Sequence, residues 1–391
     1  MNGHHGVYLS WIVRGALERY YRVFIGTFED SLAHPLFKTI LEEAQGTLEV
    51  ITLRTPTTDY IGNTGTGGLV RRELAYRKLF RRFYHKTLQR ARPDFVFLPF
   101  LDYCTYAIAL LGSPFGQTPW AGIVMRPAFH YKVMGIIGPC SLLLMPKKLL
   151  FFRLLAQKKL RSLFTIDPSL FEYLKTGSSS SGQKAHYLRD PAEFKDNIEK
   201  DVARRLLCLP KDAIVLLVYG TINYRKGVDV LLSAAAHPNF PANVHIVLAG
   251  QQGPKAERLL RSNLGERLMS SGRLHEINKY LADEEESMVF KAADIAWLVH
   301  RKHYTMSGTL VQAGKIGLPV VACEEGLIGW FAKKYDLGVL LYGLDERSVI
   351  DAIWRLVQDK EKFVKHGNAA RKCFAQHTSD NFVADIFQQM V

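Results

Sequence analysis

Between Ser307 and Ala322 the chain reads Ser-Gly-Thr-Leu-Val-Gln-Ala-Gly-Lys-Ile-Gly-Leu-Pro-Val-Val-Ala. Few local structures satisfy this order of residues. Ser307, Gly308 and Thr309 are small and suit the start of a helix, Gly317-Leu318-Pro319 stops it, and Val320-Val321-Ala322 has the β-branched character of a buried strand. The first N–H groups of such a helix have no partner within it and sit at the positive end of its dipole, so they can face a phosphate. The same pattern also fits any helix-to-strand connection with a glycine stop.

A second element starts about 90 residues upstream. The apolar run Ile214 to Tyr219 is followed by Gly220-Thr221-Ile222-Asn223-Tyr224-Arg225-Lys226-Gly227 and then by Val228-Asp229-Val230-Leu231-Leu232. This is a strand, a loop carrying two adjacent cations, and a helix, the order in which an open α/β sheet presents groups at its carboxyl edge. His245 to Gly250 and Ile295 to Val299 add strands, and Asp283 to Ala293 adds a helix.

Together these elements resemble the C-terminal domain of glycosyltransferases of the GT-B fold, of the retaining family 4 kind (glycosyl transferases group 1). The likeness covers residues 205–345 and is loose over the N-terminal half. It implies an α/β protein of two Rossmann-like domains and a transferase using a nucleotide sugar. It also implies that Lys226, by its Lys-Gly context, binds the donor diphosphate together with Gly220, Arg225, Ser307, Gly308 and Thr309. The arginine that often follows the loop's first glycine is Thr221 here. The family's paired glutamates, eight positions apart, are replaced by Tyr304 and Gln312, which we place at the nucleotide and sugar. A glutamine retains the capacity to hydrogen-bond a ribose hydroxyl but supplies no carboxylate charge. Gly3, His4 and His5 resemble a Gly-Gly-His acceptor loop that normally follows a first strand. No strand precedes them in the sequence, so either a segment is missing or the sheet begins elsewhere, for example at Tyr21 to Gly26.

The 391 residues suffice for two domains with their own cores. We expect an N-terminal domain over 1–190, a C-terminal domain over 191–378, and a last helix at 379–391 that returns to the first. In the N-terminal half, strands are expected at Arg22 to Ile25, Leu48 to Leu53, Asp94 to Leu98, Ala121 to Met125 and Ser162 to Ile166. Helices are expected at Tyr8 to Tyr20, Leu32 to Ala44, Leu69 to Ala91 and Thr105 to Leu111. Asp59 to Gly68 and Thr176 to Gly182 read as loops. Asp102 and His130 follow strands and are the expected catalytic groups, orienting or deprotonating an acceptor hydroxyl; capping and loop hydrogen bonding are the alternatives for these two. His300 and His303 are candidates to line the donor side.

The formal charge of +14 favours anionic partners. Arg71 to Arg92 holds nine cations against Glu73, with Tyr76, Leu79, Phe80, Phe83, Tyr84 and Leu88 recurring at helical spacing. Pro146 to Arg161 holds six cations and no acid. Such helices suit an anionic bilayer surface, or pack inward and leave their charges in water. No stretch is long and apolar enough to span a membrane, and Met1 to His5 lacks the charged start of a signal peptide, so cytoplasmic residence, peripheral on the inner membrane face, is expected. Five scattered cysteines without CxxC spacing point to a reducing compartment and to no zinc site; no cofactor or metal is expected.

The expected partners are a nucleotide sugar, a lipid-linked or glycan acceptor, and an anionic membrane. A non-catalytic GT-B protein that binds a nucleotide sugar or a partner is the alternative. A nucleic-acid binder has only the net charge behind it and no recognised module.

Overall fold

The computed structural model describes residues 4–44, 47–54, 66–176, 180–195 and 198–390. The chain forms two compact α/β units. Unit 1 comprises Met1–His130, Cys140–Leu188 and Ser379–Val391, and unit 2 comprises Tyr131–Pro139 and Arg189–Thr378.

Unit 2 is built on one six-stranded parallel sheet. Numbering all strands in chain order, its members are β7 (Ile214–Tyr219), β8 (Val244–Ala249), β9 (Leu274–Ile277), β10 (Ile295–Leu298), β11 (Val320–Cys323) and β12 (Gly338–Leu341), in the order β12-β11-β10-β7-β8-β9. The central strands are continuous apolar runs because helices cover both faces: Val215 to Val218 and Ile295 to Leu298 are almost inaccessible to solvent. From β7 the chain winds outward through β8 and β9. From β10 it winds the other way through β11 and β12, so the strand order reverses between β7 and β10. In open sheets of this type that reversal leaves a crevice at the carboxyl ends of the two strands.

Unit 1 holds two parallel sheets, β1 (Val23–Phe28) with β2 (Leu48–Leu53), and β3 (Val96–Leu98), β4 (Trp120–Val124), β5 (Leu160–Thr165) and β6 (Ala185–Tyr187) in sequential order. The helix Ser379–Gln388 belongs to this unit. Phe382 packs on Tyr8 with ring centroids 4.9 Å apart, and Ser162 Oγ donates to the Gln389 carbonyl at 2.6 Å.

The expected strand set lacks β9 and β12, both short and at the sheet edges. Tyr131–Pro139, assigned by sequence to the first domain, groups with unit 2, because Tyr131 Oη donates to the Tyr304 carbonyl at 2.8 Å and Gly326 N–H donates to the Ile137 carbonyl at 2.8 Å. Most of the loop expected at Asp59 to Gly68, part of that at Thr176 to Gly182, and Gly3 lie outside the described residues.

The basic helix Thr66–Leu88 turns its aromatic face inward. Tyr76 stacks on Tyr103 at 4.8 Å, Tyr84 meets Phe115 at 5.7 Å, and Leu79 is buried. Arg77 donates to the Gly112 and Leu111 carbonyls and Lys86 to that of Thr52. Glu73 is buried beneath the helix and accepts the N–H groups of Tyr106 and Ala107, while burial pushes its carboxyl pKa up to about 7. The aromatic face expected to meet a bilayer is therefore committed to the protein core. The second basic helix, Leu144–Leu155, buries Phe151, Leu154 and Leu155 but leaves Met145 and Leu149 exposed at 64% and 68%, with Leu142 just before it exposed at 98%. Among the described residues no helix is long and apolar enough to cross a membrane.

Candidate functional site

The crevice of unit 2 is lined by the loop after β7, the loop after β10 and the head of the helix Gly308–Ile316. Gly220 leaves β7 at φ 90°, in the half of conformational space that glycine adopts without strain, and its N–H donates to the Ala249 carbonyl at 2.9 Å. This turn brings the chain back through Tyr224–Lys226 to the helix Val228–Ala236.

Lys226 is only 5% exposed, and its Nζ donates to the Tyr219 carbonyl. Burial, helped by the neighbouring Arg225 charge, lowers its pKa to about 8. The Lys226 carbonyl accepts from Trp297 Nε1 at 2.8 Å, which ties the loop to the floor of β10.

A second set of contacts joins the two loops. Arg301 N–H donates to the Arg225 carbonyl at 2.7 Å, and the Arg301 guanidinium pairs in fork geometry with Asp229, at 2.6 and 3.0 Å. The same guanidinium lies 4.4 Å over the Tyr224 ring. Arg225 Nη1 lies 3.4 Å from His303 Nδ1, and His303 Nε2 lies 3.4 Å from the Met306 carbonyl. The carbonyl can only accept, so this pairing assigns the His303 proton to Nε2 and leaves Nδ1 to accept from Arg225. Burial and the nearby cations lower the His303 pKa to about 4 and hold that of His300 well below the ordinary range.

His300 is 4% exposed, and among the described residues neither ring nitrogen finds a hydrogen-bond partner. Its carbonyl accepts from Cys323 Sγ, and its ring lies 5.4 Å from that of His303. A buried imidazole without partners is costly unless something else occupies its nitrogens.

Ser307 is buried and precedes the helix with extended backbone. Its carbonyl accepts from Leu310 and Val311, whereas Gly308 and Thr309 occupy positions whose amides have no acceptor within a helix. One turn further, Gln312 Nε2 donates to Glu286 Oε1 at 2.6 Å, and Tyr219 Oη donates to Glu286 Oε2. Tyr304 contributes backbone, its carbonyl accepting from Tyr131 Oη and Leu327 N–H.

Unit 2 thus gathers Gly220, Arg225, Lys226, Tyr304, Ser307, Gly308, Thr309 and Gln312 around one sheet edge. Sequence reasoning missed Glu286, which arrives from the helix Asp283–Ala292; its run of acids signals only a favourable helix start. It also missed the Arg301–Asp229 pair, for which no local pattern gave a signal.

The expected catalytic groups of unit 1 have other duties. His130 is completely buried, with Nε2 3.1 Å from Asp167 Oδ2 and 3.0 Å from Ser169 Oγ. In this arrangement it has no accessible surface, and its ring is engaged with Asp167 and Ser169. Asp102 accepts the N–H groups of Met125 and Arg126 at 2.9 Å, fixing the exit of β4, and burial raises its pKa. This backbone-holding duty differs from the helix capping named as its alternative. His4 and His5 open the helix His4–Leu17. Among the described residues, no group of three or more His, Cys, Asp or Glu side chains is placed to hold a metal ion.

Solved structures with the same architecture include sucrose-phosphate synthase from Thermosynechococcus elongatus, 16% identical with a TM-score of 0.63 over 95% of this chain and 98% of that one. Another is WaaG, a glycosyltransferase involved in lipopolysaccharide biosynthesis, 16% identical with a TM-score of 0.61 over 100% and 96%. Anabaena HepE, solved in complex with UDP and glucose, is 16% identical with a TM-score of 0.62 over 100% and 96%. The protein has the GT-B fold. Residues 213–359, within unit 2, match the family model of Glycosyl transferases group 1.

Among curated proteins, D-inositol 3-phosphate glycosyltransferase of Corynebacterium urealyticum is 26% identical over 194 residues, 48% of this chain and 45% of the relative. D-inositol 3-phosphate glycosyltransferase 1 of Catenulispora acidiphila is 29% identical over 167 residues, 41% of this chain and 40% of the relative. The matches span less than half the length of these curated relatives.

Proposed function

We propose that this chain is a glycosyltransferase that moves a sugar from a nucleoside-diphosphate donor to an acceptor hydroxyl with retention of configuration, as in family 4. The observation that carries the reading is Lys226, a buried lysine beside Gly220 at the point where the strand order reverses. His300, with two unpartnered ring nitrogens in the same charge cluster, adds to it. As the bond from the sugar's anomeric carbon to the diphosphate breaks, the diphosphate takes the electron pair, and Lys226, Arg225 and the amides of Gly308 and Thr309 stabilise the added charge. The acceptor oxygen forms the new bond. With His130 enclosed and Asp102 holding backbone, the leaving diphosphate is the base that takes the acceptor's proton. Attack then comes from the face the diphosphate leaves, which retains the configuration. In this scheme the protein's own cations carry the charge, without a resident metal or cofactor.

Screening thermal stabilisation against UDP, GDP, ADP and their sugars tests the reading, because a ligand selective for the folded state raises apparent stability with concentration. We expect one nucleotide to stand out and its sugar conjugate to be hydrolysed slowly by water to free sugar and nucleoside diphosphate. Binding without turnover toward any acceptor favours the non-catalytic reading, in which the lack of a carboxylate at Tyr304 and Gln312 abolishes transfer. No shift with any nucleotide contradicts both.

A membrane-associated acceptor, lipid-linked or a glycan presented there, is supported by the exposed Leu142, Met145 and Leu149, which alternate with Lys147 and Lys148. The five free cysteines support residence in the reducing cytoplasm. The chain is expected to float with phosphatidylserine liposomes and to remain behind when Leu149 is changed to Asp; flotation unchanged by that substitution argues against this patch.

A further inference from the structure

We infer that Glu286 is a positioning residue that fixes the side-chain amide of Gln312, so that the amide oxygen accepts a hydrogen bond from a ribose hydroxyl of the nucleotide. The inference rests on the nucleotide-binding reading above. A glutamine amide has an acceptor end and a donor end, and nothing intrinsic decides which end faces a ligand. Here the neighbour decides. Glu286 Oε1 lies 2.6 Å from Gln312 Nε2, and a carboxylate can only accept, so the amino end of Gln312 must face Glu286. Tyr219 Oη donates to the other carboxylate oxygen, which holds Glu286 from the β7 side. The amide oxygen is then the end left over, one helical turn beyond the amides of Gly308 and Thr309 and on the same face. Position 312 therefore presents an oxygen acceptor suited to a ribose diol, as a carboxylate would, while the negative charge sits one residue away on Glu286.

The arrangement can be exchanged. In the double variant Glu286→Gln with Gln312→Glu, the new amide donates to the new carboxylate, and position 312 again presents an oxygen. Dissociation constants would be measured for the preferred nucleoside diphosphate and its 2′,3′-dideoxy form, using the parent, both single variants and the exchanged pair, with melting temperatures alongside. Glu286→Gln is expected to weaken the ribonucleotide about tenfold, the scale of one charge-assisted hydrogen bond, and to leave the dideoxy form unchanged. Gln312→Glu alone sets two carboxylates against each other and weakens binding as well. The exchanged pair is expected to recover to within about threefold of the parent.

Equal affinity of the parent and Glu286→Gln for the ribonucleotide overturns the inference. So does an equal loss for both nucleotide forms, which identifies a merely structural role. Should Glu286→Gln lower the melting temperature, the exchanged pair remains decisive: a folded pair that does not recover ribonucleotide affinity contradicts the proposal. If the parent binds no nucleotide, the reading under Proposed function fails and takes this inference with it. If the parent binds but the variants match it, only this inference fails.

Discussion

Lys226→Ala is expected to weaken nucleoside-diphosphate binding about 100-fold, the range found when one partner of a buried charged pair is truncated, and so to abolish the thermal shift at ligand concentrations that saturate the parent. The ligand-free protein should not suffer correspondingly, because the lost ammonium is buried at 5% exposure and, among the described residues, donates only to the Tyr219 carbonyl. The pH dependence follows from the folded pKa of about 8 against the ordinary value of 10.5. Below pH 8 folded and unfolded chains both hold this proton, and its contribution to stability is flat. Between about pH 8 and 10.5 the unfolded chain holds the proton that the folded chain has lost, so stability rises with pH in the parent and not in Lys226→Ala. Ligand affinity moves the other way. A bound diphosphate favours the charged lysine, so affinity should decline as pH passes about 8 in the parent and show no such decline in the variant. Calorimetric titration from pH 7 to 9.5 and thermal melts from pH 7 to 10.5 check both signs.

Gly250→Ala is expected to destabilise unit 2 strongly. Gly250 follows β8 at φ 136°, and a Cβ there would lie 2.2 Å from the Gly220 carbonyl oxygen. The substitution combines a conformation that side chains avoid with a backbone collision no rotamer can relieve. A loss of about 3 kcal/mol is expected from strain and overpacking together. For a domain of this size that lowers the melting transition of unit 2 by roughly 6 to 12 °C. Because the collision is with Gly220 itself, any folded fraction should also bind nucleotide weakly. A variant with normal stability and affinity would show that the turn after β7 is not held by this approach.

The architecture was legible where burial makes the sequence monotonous. Ile214–Tyr219 was located to the residue, since a covered parallel strand reads as an unbroken apolar run, and Leu48–Leu53 by its β-branched Val50, Ile51 and Thr52. Leu274–Ile277 and Gly338–Leu341 escaped notice. The first mixes His and Glu into an edge strand, and the second is a four-residue edge strand beginning at glycine. Site residues divide in the same way. Gly220 and Lys226 could be read as candidates because loop and cation are neighbours in sequence, and Ser307-Gly308-Thr309 because small residues directly precede a helical run. Glu286 was not, since it meets Gln312 from 26 positions away, a relation created by packing the helix Asp283–Ala292 beside Gly308–Ile316. The enclosure of Asp102 and His130 was not legible, because a place at the end of a strand says nothing of how far a side chain is covered. The basic helix Thr66–Leu88 teaches a related lesson, since an amphipathic pattern fixes that one face is covered and leaves open by what.

The central claim is that unit 2 holds a donor diphosphate between Lys226 and the head of the helix Gly308–Ile316. The most direct test is a crystal structure of the chain with the nucleoside diphosphate that gives the largest thermal shift. The account predicts phosphate oxygens within hydrogen-bonding distance of Lys226 Nζ and of the Gly308 and Thr309 amides. A nucleotide bound elsewhere, or bound with Lys226 still held only by the Tyr219 carbonyl, would contradict it.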